Sequence, residues 1–506
     1  VAEALPFEPP RGRPSSWRGA LWRWSVRAVL AFLLIAVVGG CVVVGRALTH
    51  TSQQERVDPA AHLDLDDEIS DRLAGALRFR TVSAKSEFDP ASFQELHRYL
   101  EQNFRRVHET LDRSVIGECS LLYRWKGSDS QAPPILLMSH LDVVAVPRSE
   151  QPRWTYDPWS GTIADGYIWG RGAIDVKSGV MSQLEAIEYL LGEGFQPQQD
   201  VYLAFGHDEE IGGSDGNQQI ALKLRERRVR FRYVLDEGGV IVENAIPGLH
   251  APLALVAVAE KGYATVRLSV DIEPGHSSMP PPQSAIGLLA AAIAKLEQTP
   301  CAASLSGPVG LMLEAIAPEV DFPQRVALAN RDVLSPLLLH RFAKSPSLNA
   351  LTRTTTAVTV FQAGQQDNVL PGHAEALINF RLLPGQGPQV ALDHVQRVMD
   401  DPRIKLELRD GANPPSSVSD HRSPEFLAIA RAIRQTFPEA VVAPGLAVVA
   451  TDSRHYEPLA DNIYRFLPVQ LPVEDLKRIH GIDERISVEN YRRMVAFMVR
   501  LLQSGG

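Results

Sequence analysis

Continuous apolar runs along this chain alternate with stretches whose apolar positions recur every three to four residues, a pattern that predicts strands interleaved with helices. Ile135-Leu-Leu-Met-Ser139, Val201-Tyr-Leu-Ala-Phe205 and Tyr233-Val-Leu235 are short, apolar and bounded by turn residues, as strands buried on both faces are. Between the first two, Ser178 to Leu191 has helical spacing, opened by Ser178-Gly179 and closed by Gly192. The expected class is α/β, with a mostly parallel central sheet.

From Gly262 the period changes. Val266, Leu268, Val270 and Ile272 alternate with polar residues, the mark of a strand with one wet face. A helix over Ser284 to Leu296, strands near Ala357 to Phe361 and Glu375 to Phe380, a helix around Val390 to Met399 and a strand over Ile404 to Leu408 follow. That β-α-β-β-α-β order predicts a small helix-backed α+β unit inserted in the first domain. Residues 300–350 are an apolar, Pro-containing insertion that the pattern assigns to neither sheet. The first domain resumes after Gly411 and closes on an amphipathic helix, Ser487 to Leu502, with Tyr491, Met494, Val495, Met498, Leu501 and Leu502 on one face.

One segment departs from a soluble pattern: Ala28 to Gly45 is 18 residues without a charge, between Arg27 and Arg46. As a helix it is about 27 Å long, enough to span a hydrocarbon core. Arg11, Arg13, Arg18, Arg23 and Arg27 precede it and Arg46 alone follows closely, so the rule that positive flanks stay inside predicts a cytoplasmic N-terminus. The remaining chain is then extracytoplasmic, periplasmic or lumenal. A cleaved signal peptide, a buried core helix, or lipidation at Cys41 of Val38-Gly-Gly-Cys41 are the alternatives. The division expected is 1–27 cytoplasmic, 28–45 anchor, 46–60 polar stalk, 61–261 and 411–506 catalytic domain, and 262–410 inserted domain.

Composition narrows the chemistry. A formal net charge of −9 gives no electrostatic reason for nucleic acid binding. Three cysteines, Cys41, Cys119 and Cys301, supply neither a disulfide framework nor a thiolate zinc site, so a metal here needs imidazoles and carboxylates. His140 and Asp142 follow the first apolar strand, Glu209-Glu210 the second and Asp236 the third. Carboxyl ends of strands in an open α/β sheet converge on one crevice. Asp175, in the glycine-rich turn Trp169-Gly-Arg-Gly-Ala-Ile-Asp175 that opens the Ser178 helix, is placed to bridge two zinc ions. Three ligand carboxylates and a hydroxide balance two Zn²⁺, which selects Asp175, Glu210 and Asp236 as ligands. That leaves Glu209 beside the metals without coordinating them, as a general base requires. Asp142 is then the partner that fixes the His140 tautomer.

His140-Leu-Asp142, Gly170-Arg-Gly-Ala-Ile-Asp175, Asp208-Glu-Glu-Ile-Gly-Gly213, Gly275-His-Ser-Ser278 and Ile479-His480-Gly481 together resemble the dinuclear zinc amidohydrolase and metallopeptidase family of acetylornithine deacetylase, succinyl-diaminopimelate desuccinylase, aminoacylase-1 and carboxypeptidase S. The resemblance covers residues 65–505 and is nearest to the carboxypeptidase S branch, which includes an N-fatty-acyl amino acid synthase/hydrolase. It implies a zinc-peptidase-like catalytic domain and an inserted lid that often dimerises. It also implies one zinc on His140 and Asp236, a second on Glu210 and His480, Asp175 bridging them by a carboxylate followed by a cis peptide bond, and Glu209 as base. His480 is chosen by family position alone, since His207, His373 and His455 are equally available imidazoles. Cobalt or manganese serve some family members. His276 matches a lid histidine that reaches the reacting carbonyl, commonly of the neighbouring subunit. Asn368 in Asn368-Val-Leu-Pro371 and Arg381 in Phe380-Arg-Leu-Leu-Pro384 resemble substrate-facing lid residues. Arg381 suits a free carboxylate, with Arg454 a second candidate. The expected activity is hydrolysis of an amide next to a free carboxylate, on a small N-acyl amino acid or short peptide; a non-catalytic, metal-stabilised binding protein is the alternative.

Overall fold

The computed structural model describes residues 16–58, 60, 61 and 63–505. Ten strands among them form one sheet. At its centre Val201–Gly206, Ile135–His140, Val234–Asp236 and Ile463–Arg465 lie side by side and parallel. Leu137 pairs with Leu203 on one side and Leu235 on the other, so these strands end at nearly the same level. The sheet is mixed where the apolar runs predict a mostly parallel one. The difference lies towards the edges: Asp112–Ile116 and Ser120–Trp125 are joined by three residues, a connection that permits only antiparallel pairing.

Helices Lys177–Gly192, Pro424–Thr436 and Val488–Gln503 cover one face of this sheet. Asn217–Glu226 and the turn Asp452–Leu459 cover the other. The C-terminal helix buries Tyr491, Met494, Val495, Met498, Leu501 and Leu502, and the Ser487 side chain caps its start by accepting from the Asn490 N–H. Lys177–Gly192 is buried along most of its length, and Gln183 Nε2 donates to the Met138 carbonyl at 2.8 Å, locking it against the strand that ends at His140.

A second, four-stranded antiparallel sheet has the order Thr355–Ala363, His373–Leu382, Gly262–Asp271, Ile404–Leu408. Ala264, Val266, Leu268 and Val270 pack with Ala376, Ile378 and Phe380 under helices Ala285–Gln298 and Gln389–Met399. The opposite, helix-free face carries Tyr263, Thr265, Asn379 and Arg381. The two segments that join the sheets, around residues 260–263 and 413–416, lie side by side. Tyr263 and Asn413 exchange backbone hydrogen bonds of 2.8 Å, and Ser416 Oγ accepts from the Glu260 N–H.

The 300–350 insertion folds as helices Pro308–Ile316, Phe322–Ala329, Arg331–Phe342 and Pro346–Thr352. Although it interrupts the second sheet in sequence, it packs on the first. Val309, Met312, Leu313 and Ile316 bury against Leu253, Val441 and Ala443 of strands Leu253–Glu260 and Val441–Ala447.

The N-terminal helix runs Ser16–Thr49, and its Trp22–Thr49 part is long and apolar enough to cross a membrane. Arg11, Arg13 and the side chain of Arg18, on which the charge-bias reading partly rests, lie outside the described residues. The segment after the helix is strapped to the globular body, where a free polar stalk is expected. Ala47 is buried, Gln54 exchanges two hydrogen bonds with the Val442 backbone, and Glu55 pairs with Arg431 at 2.9 Å.

Candidate metal centre and active site

Parallel register brings His140 level with Gly206, so the turn after each strand opens on one crevice. The imidazole of His140 is oriented from behind, its Nδ1 lying 2.9 Å from the Asp142 carbonyl. The Asp142 carboxylate accepts from the backbone N–H groups of Glu209, at 3.2 Å, and Glu210, at 3.1 Å. One buried aspartate thus fixes both the imidazole and the turn Glu209–Ile211. Gly213 completes that turn at φ +66°, with Asp452 so close that a Cβ would fall 1.9 Å from its Oδ1.

The Asp175 loop is held differently. Glu484, fully buried, accepts at Oε1 from the N–H groups of Gly172, Ile174 and Asp175, at 3.1, 2.8 and 3.0 Å. Its Oε2 accepts from Arg171 Nη1 at 2.6 Å, and Arg171 Nη2 also donates to the His480 carbonyl at 3.2 Å. The loop bearing Asp175 and the loop bearing His480 are therefore clasped together. The Asp175–Val176 peptide is cis.

These supports converge on two sets of donor atoms sharing one residue. Asp175 Oδ1 lies 3.1 Å from His140 Nε2, which is 3.2 Å from Glu237 Oε1. Asp175 Oδ2 lies 3.0 Å from His480 Nε2, which is 3.1 Å from Glu210 Oε2. In each set the potential ligand atoms lie within 4.8 Å of one another. Both imidazoles face two carboxylates. Burial works against the charged form of His140, yet Glu237, Asp142 and Asp175 overcome it and raise its pKa. Hydrogen bonds to Asp175 and Glu210 lift His480 to about 10. Burial opposes ionisation of Asp175 too, but the flanking imidazoles hold it below the usual carboxylate range. Burial, then Asp175, lifts Glu237 to about 8. Glu209 is driven well up by burial, with His140 opposing and Asp452, Glu237 and Glu210 reinforcing the rise.

Asp236, expected as a ligand, belongs to neither set; Glu237 takes that place. The reason is the strand's end: Asp236 is its last residue and shares the face of Val234, which packs under Asp452–Leu459, whereas Glu237 lies beyond the strand and is free to turn towards His140. Asp236 Oδ2 instead accepts from the Ser453 N–H at 3.0 Å, pinning the loop that carries Arg454. Arg454 donates to the carbonyls of Gly212, at 2.6 Å, and Thr451, at 3.3 Å, which makes it a latch on the Glu209 turn. Arg381 forms no ion pair among the described residues and lies over the Tyr263 ring, 5.1 Å from its centroid, on the helix-free face of the second sheet. His276 and Asn368 meet on a small two-stranded ribbon, where Ser277 N donates to the Asn368 carbonyl at 3.1 Å. His276 is exposed and bonds Ser278 Oγ at 2.8 Å, and no hydrogen bond or ion pair among the described residues links it to the Asp175 cluster. Of the other imidazoles, His207 bonds Ser120 at 2.7 Å and His373 pairs with Asp271 at 2.8 Å.

Two positions of the cluster and its support escape sequence reasoning. Glu237 is adjacent to Asp236, the expected ligand, and only the folded strand end separates them. Glu484 follows the Ile479-His-Gly481 motif by three residues, but its partners lie some 310 residues earlier.

A profile of peptidase family M20/M25/M40 matches residues 136–504. Among curated relatives, probable carboxypeptidase S-like 2 of Dictyostelium discoideum is 40% identical over 492 residues, covering 95% of this chain and 94% of that one. The N-fatty-acyl-amino acid synthase/hydrolase PM20D1 of Homo sapiens is 38% identical over 442 residues, covering 86% and 87%. Among solved structures, the M20 family metallo-carboxypeptidase Sso-CP2 from Sulfolobus solfataricus superposes with a TM-score of 0.62 at 19% identity, covering 87% of this chain and 99% of that one. Human carnosine dipeptidase 1 does so at 0.61 and 17%, covering 86% and 96%.

Proposed function

We propose that this chain, which belongs to peptidase family M20/M25/M40 and is a metal-dependent peptidase or N-acyl amino acid hydrolase, cleaves an amide bond adjacent to a free carboxylate at the Asp175 cluster. The observation that carries this reading is Asp175 itself: each carboxylate oxygen faces a different imidazole, and each imidazole faces a further carboxylate.

The donor set fits two divalent cations. Three carboxylates gathered against two imidazoles in a half-buried crevice favour added positive charge, and the buried Glu210 Oε1 has no hydrogen-bond partner among the described residues. His140, Glu237 and Asp175 Oδ1 would hold one ion; Glu210, His480 and Asp175 Oδ2 the other. Imidazole nitrogen with carboxylate oxygen suits zinc, with cobalt or manganese as substitutes. When bound, such ions polarise the scissile carbonyl and acidify water.

The chain's own residues supply the rest. Glu209, driven up by burial, takes the proton of the attacking water on a carboxylate oxygen and returns it to the leaving nitrogen. Asp142 holds the Glu209 turn and the His140 ring in place throughout. Arg381, which has no acidic partner among the described residues, pairs with the substrate carboxylate, and Asn368 orients the same end. His276 is exposed and distant in its bonding from the cluster, which suits a donor delivered to a second subunit, so the second sheet acts as a lid within a homodimer. Trp22–Thr49 anchors the chain in a membrane with the catalytic body on the extracytoplasmic side.

The test is to purify the full chain in detergent, count metals by mass spectrometry, and assay dipeptides and N-acyl amino acids against their carboxamide analogues. Two metals per chain and a preference for the free acids are expected. A fully loaded protein with one metal or none, or equal kcat/KM for acid and carboxamide, overturns the reading.

A further inference from the structure

The N-terminal helix does not leave the globular body freely. Asn330 Nδ2 donates to the Val43 carbonyl at 3.0 Å, Arg46 pairs with Asp332 at 2.8 Å, and Ala47 is 0% exposed. Helix Phe322–Ala329 packs along the same segment. Arg46 is the residue that ends the 18-residue uncharged run, so its partner Asp332 marks the height of the membrane surface.

Asp332 stands in the first turn of Arg331–Phe342, where it is the single acidic residue. Val333 and Leu337, four residues apart, are 67% and 53% exposed. His340 and Arg341 continue the stripe, Lys344 follows one turn on, and all three are exposed. Exposed apolar and basic side chains on a short helix tied to the end of a membrane-crossing helix can meet the acyl boundary and anionic headgroups together. Its height agrees. At about 1.5 Å per residue, Val333 and Leu337 lie roughly 1.5 and 7.5 Å along the helix from Asp332. The headgroup layer is about 5–8 Å deep on each side of the hydrocarbon core, so both residues fall in it when the helix lies along the surface.

We infer that Arg331–Phe342 rests on the bilayer crossed by Trp22–Thr49, with Val333 and Leu337 in the headgroup layer and His340, Arg341 and Lys344 against anionic lipid headgroups. This rests on the proposed anchor. It assigns the 300–350 insertion a task, since these helices fasten the catalytic sheet to the membrane at a fixed orientation.

The full chain in nanodiscs of phosphatidylcholine and phosphatidylglycerol tests it. A fluorophore is attached at V333C or L337C in a C41S background, and in a separate sample at native Cys41, which is exposed on the N-terminal helix while Cys119 and Cys301 are buried. Expected is loss of most of the Cys41 signal to quenchers deep in the acyl chains and of most of the 333 and 337 signals to headgroup quenchers. Removing phosphatidylglycerol should weaken the latter. Quenching of the 333 and 337 labels by aqueous iodide alone, with Cys41 still quenched from the lipid, overturns this inference and leaves the anchor standing. Labels at 333 and 337 shielded from both quenchers mean that a second copy covers the face, which also overturns it. A Cys41 label untouched by lipid quenchers removes the anchor and this inference with it.

Discussion

Replacing Glu484 with glutamine keeps its shape and removes the charge that gathers three backbone N–H groups and the Arg171 guanidinium around one buried side chain. Neutralising one member of a buried ion pair costs about 3–5 kcal/mol because the other charge stays buried. Arg171 keeps two further contacts, the His480 carbonyl at 3.2 Å and the Trp154 ring at 5.3 Å, so the lower end, about 3 kcal/mol, is expected. For a chain of this length that corresponds to a fall of about 3 °C in Tm. The larger effect falls on metal. The Asp175 N–H loses its charged acceptor, and removing the support behind a ligand lowers metal affinity about 10–100-fold. Chelator competition on the Glu484→Gln protein measures this, with circular dichroism following stability in parallel. Wild-type affinity alongside a lowered Tm would show Glu484 to be a structural brace only; wild-type values in both would refute the reasoning.

Glu209→Gln should lower kcat by at least about 100-fold while two metals remain bound, measured by mass spectrometry and turnover; metal loss would make Glu209 a ligand. Glu237→Gln should weaken one of the two metal sites, whereas Asp236→Asn should retain both, as calorimetric titration of the metal-free protein will report. Arg381→Ala should raise KM for N-acyl amino acids and leave their carboxamide analogues unchanged; an equal rise for both would remove its carboxylate role. The contribution of His97 to stability should fall as pH drops from 6.5 towards 4. His97 is buried, bonds the Cys119 carbonyl at 3.0 Å and is pushed down to about 4 by burial and then by Arg113, so at this residue the unfolded chain binds the extra proton in that window. The denaturant midpoint of the wild type relative to His97→Gln should drop across that range, and a constant difference would assign the effect elsewhere.

Much of the fold is local in origin and so legible in the sequence. Ile135–His140 and Val201–Gly206 each run one residue beyond the apolar stretch that predicts them, and the alternation at 266, 268 and 270 turns those residues inward as expected. What the sequence withholds is long-range. Asp236 and Glu237 are adjacent acids at a strand end, and only the folded strand end decides which of them meets His140. Glu484 reads as one acid among many until the loop at 170–175 folds over it. The amphipathic helices of 308–352 carry no mark of which sheet they cover, because that depends on strands 253–260 and 441–447 being neighbours. His480 and the cis bond after Asp175 rest on resemblance alone, since neither has a signature in spacing or composition.

The paired backbone at Tyr263 and Asn413 has a consequence for how such a chain diversifies. Nearly 150 residues leave the catalytic body and return to it at neighbouring positions, so the body is closed by a short bridge whatever the inserted segment contains. Loop-closure entropy grows only slowly with length, so loops of the second sheet can lengthen or shorten at little cost to the host, whereas the helices of 308–352 are tied to it through Leu253, Val441 and Ala443. Arg381, Asn368 and His276 ride on the cassette, while His140, Asp175, Glu210, Glu237 and His480 stay in the host. Under the proposed function, selection can therefore rewrite which molecule is grasped while leaving untouched the atoms that break its bond.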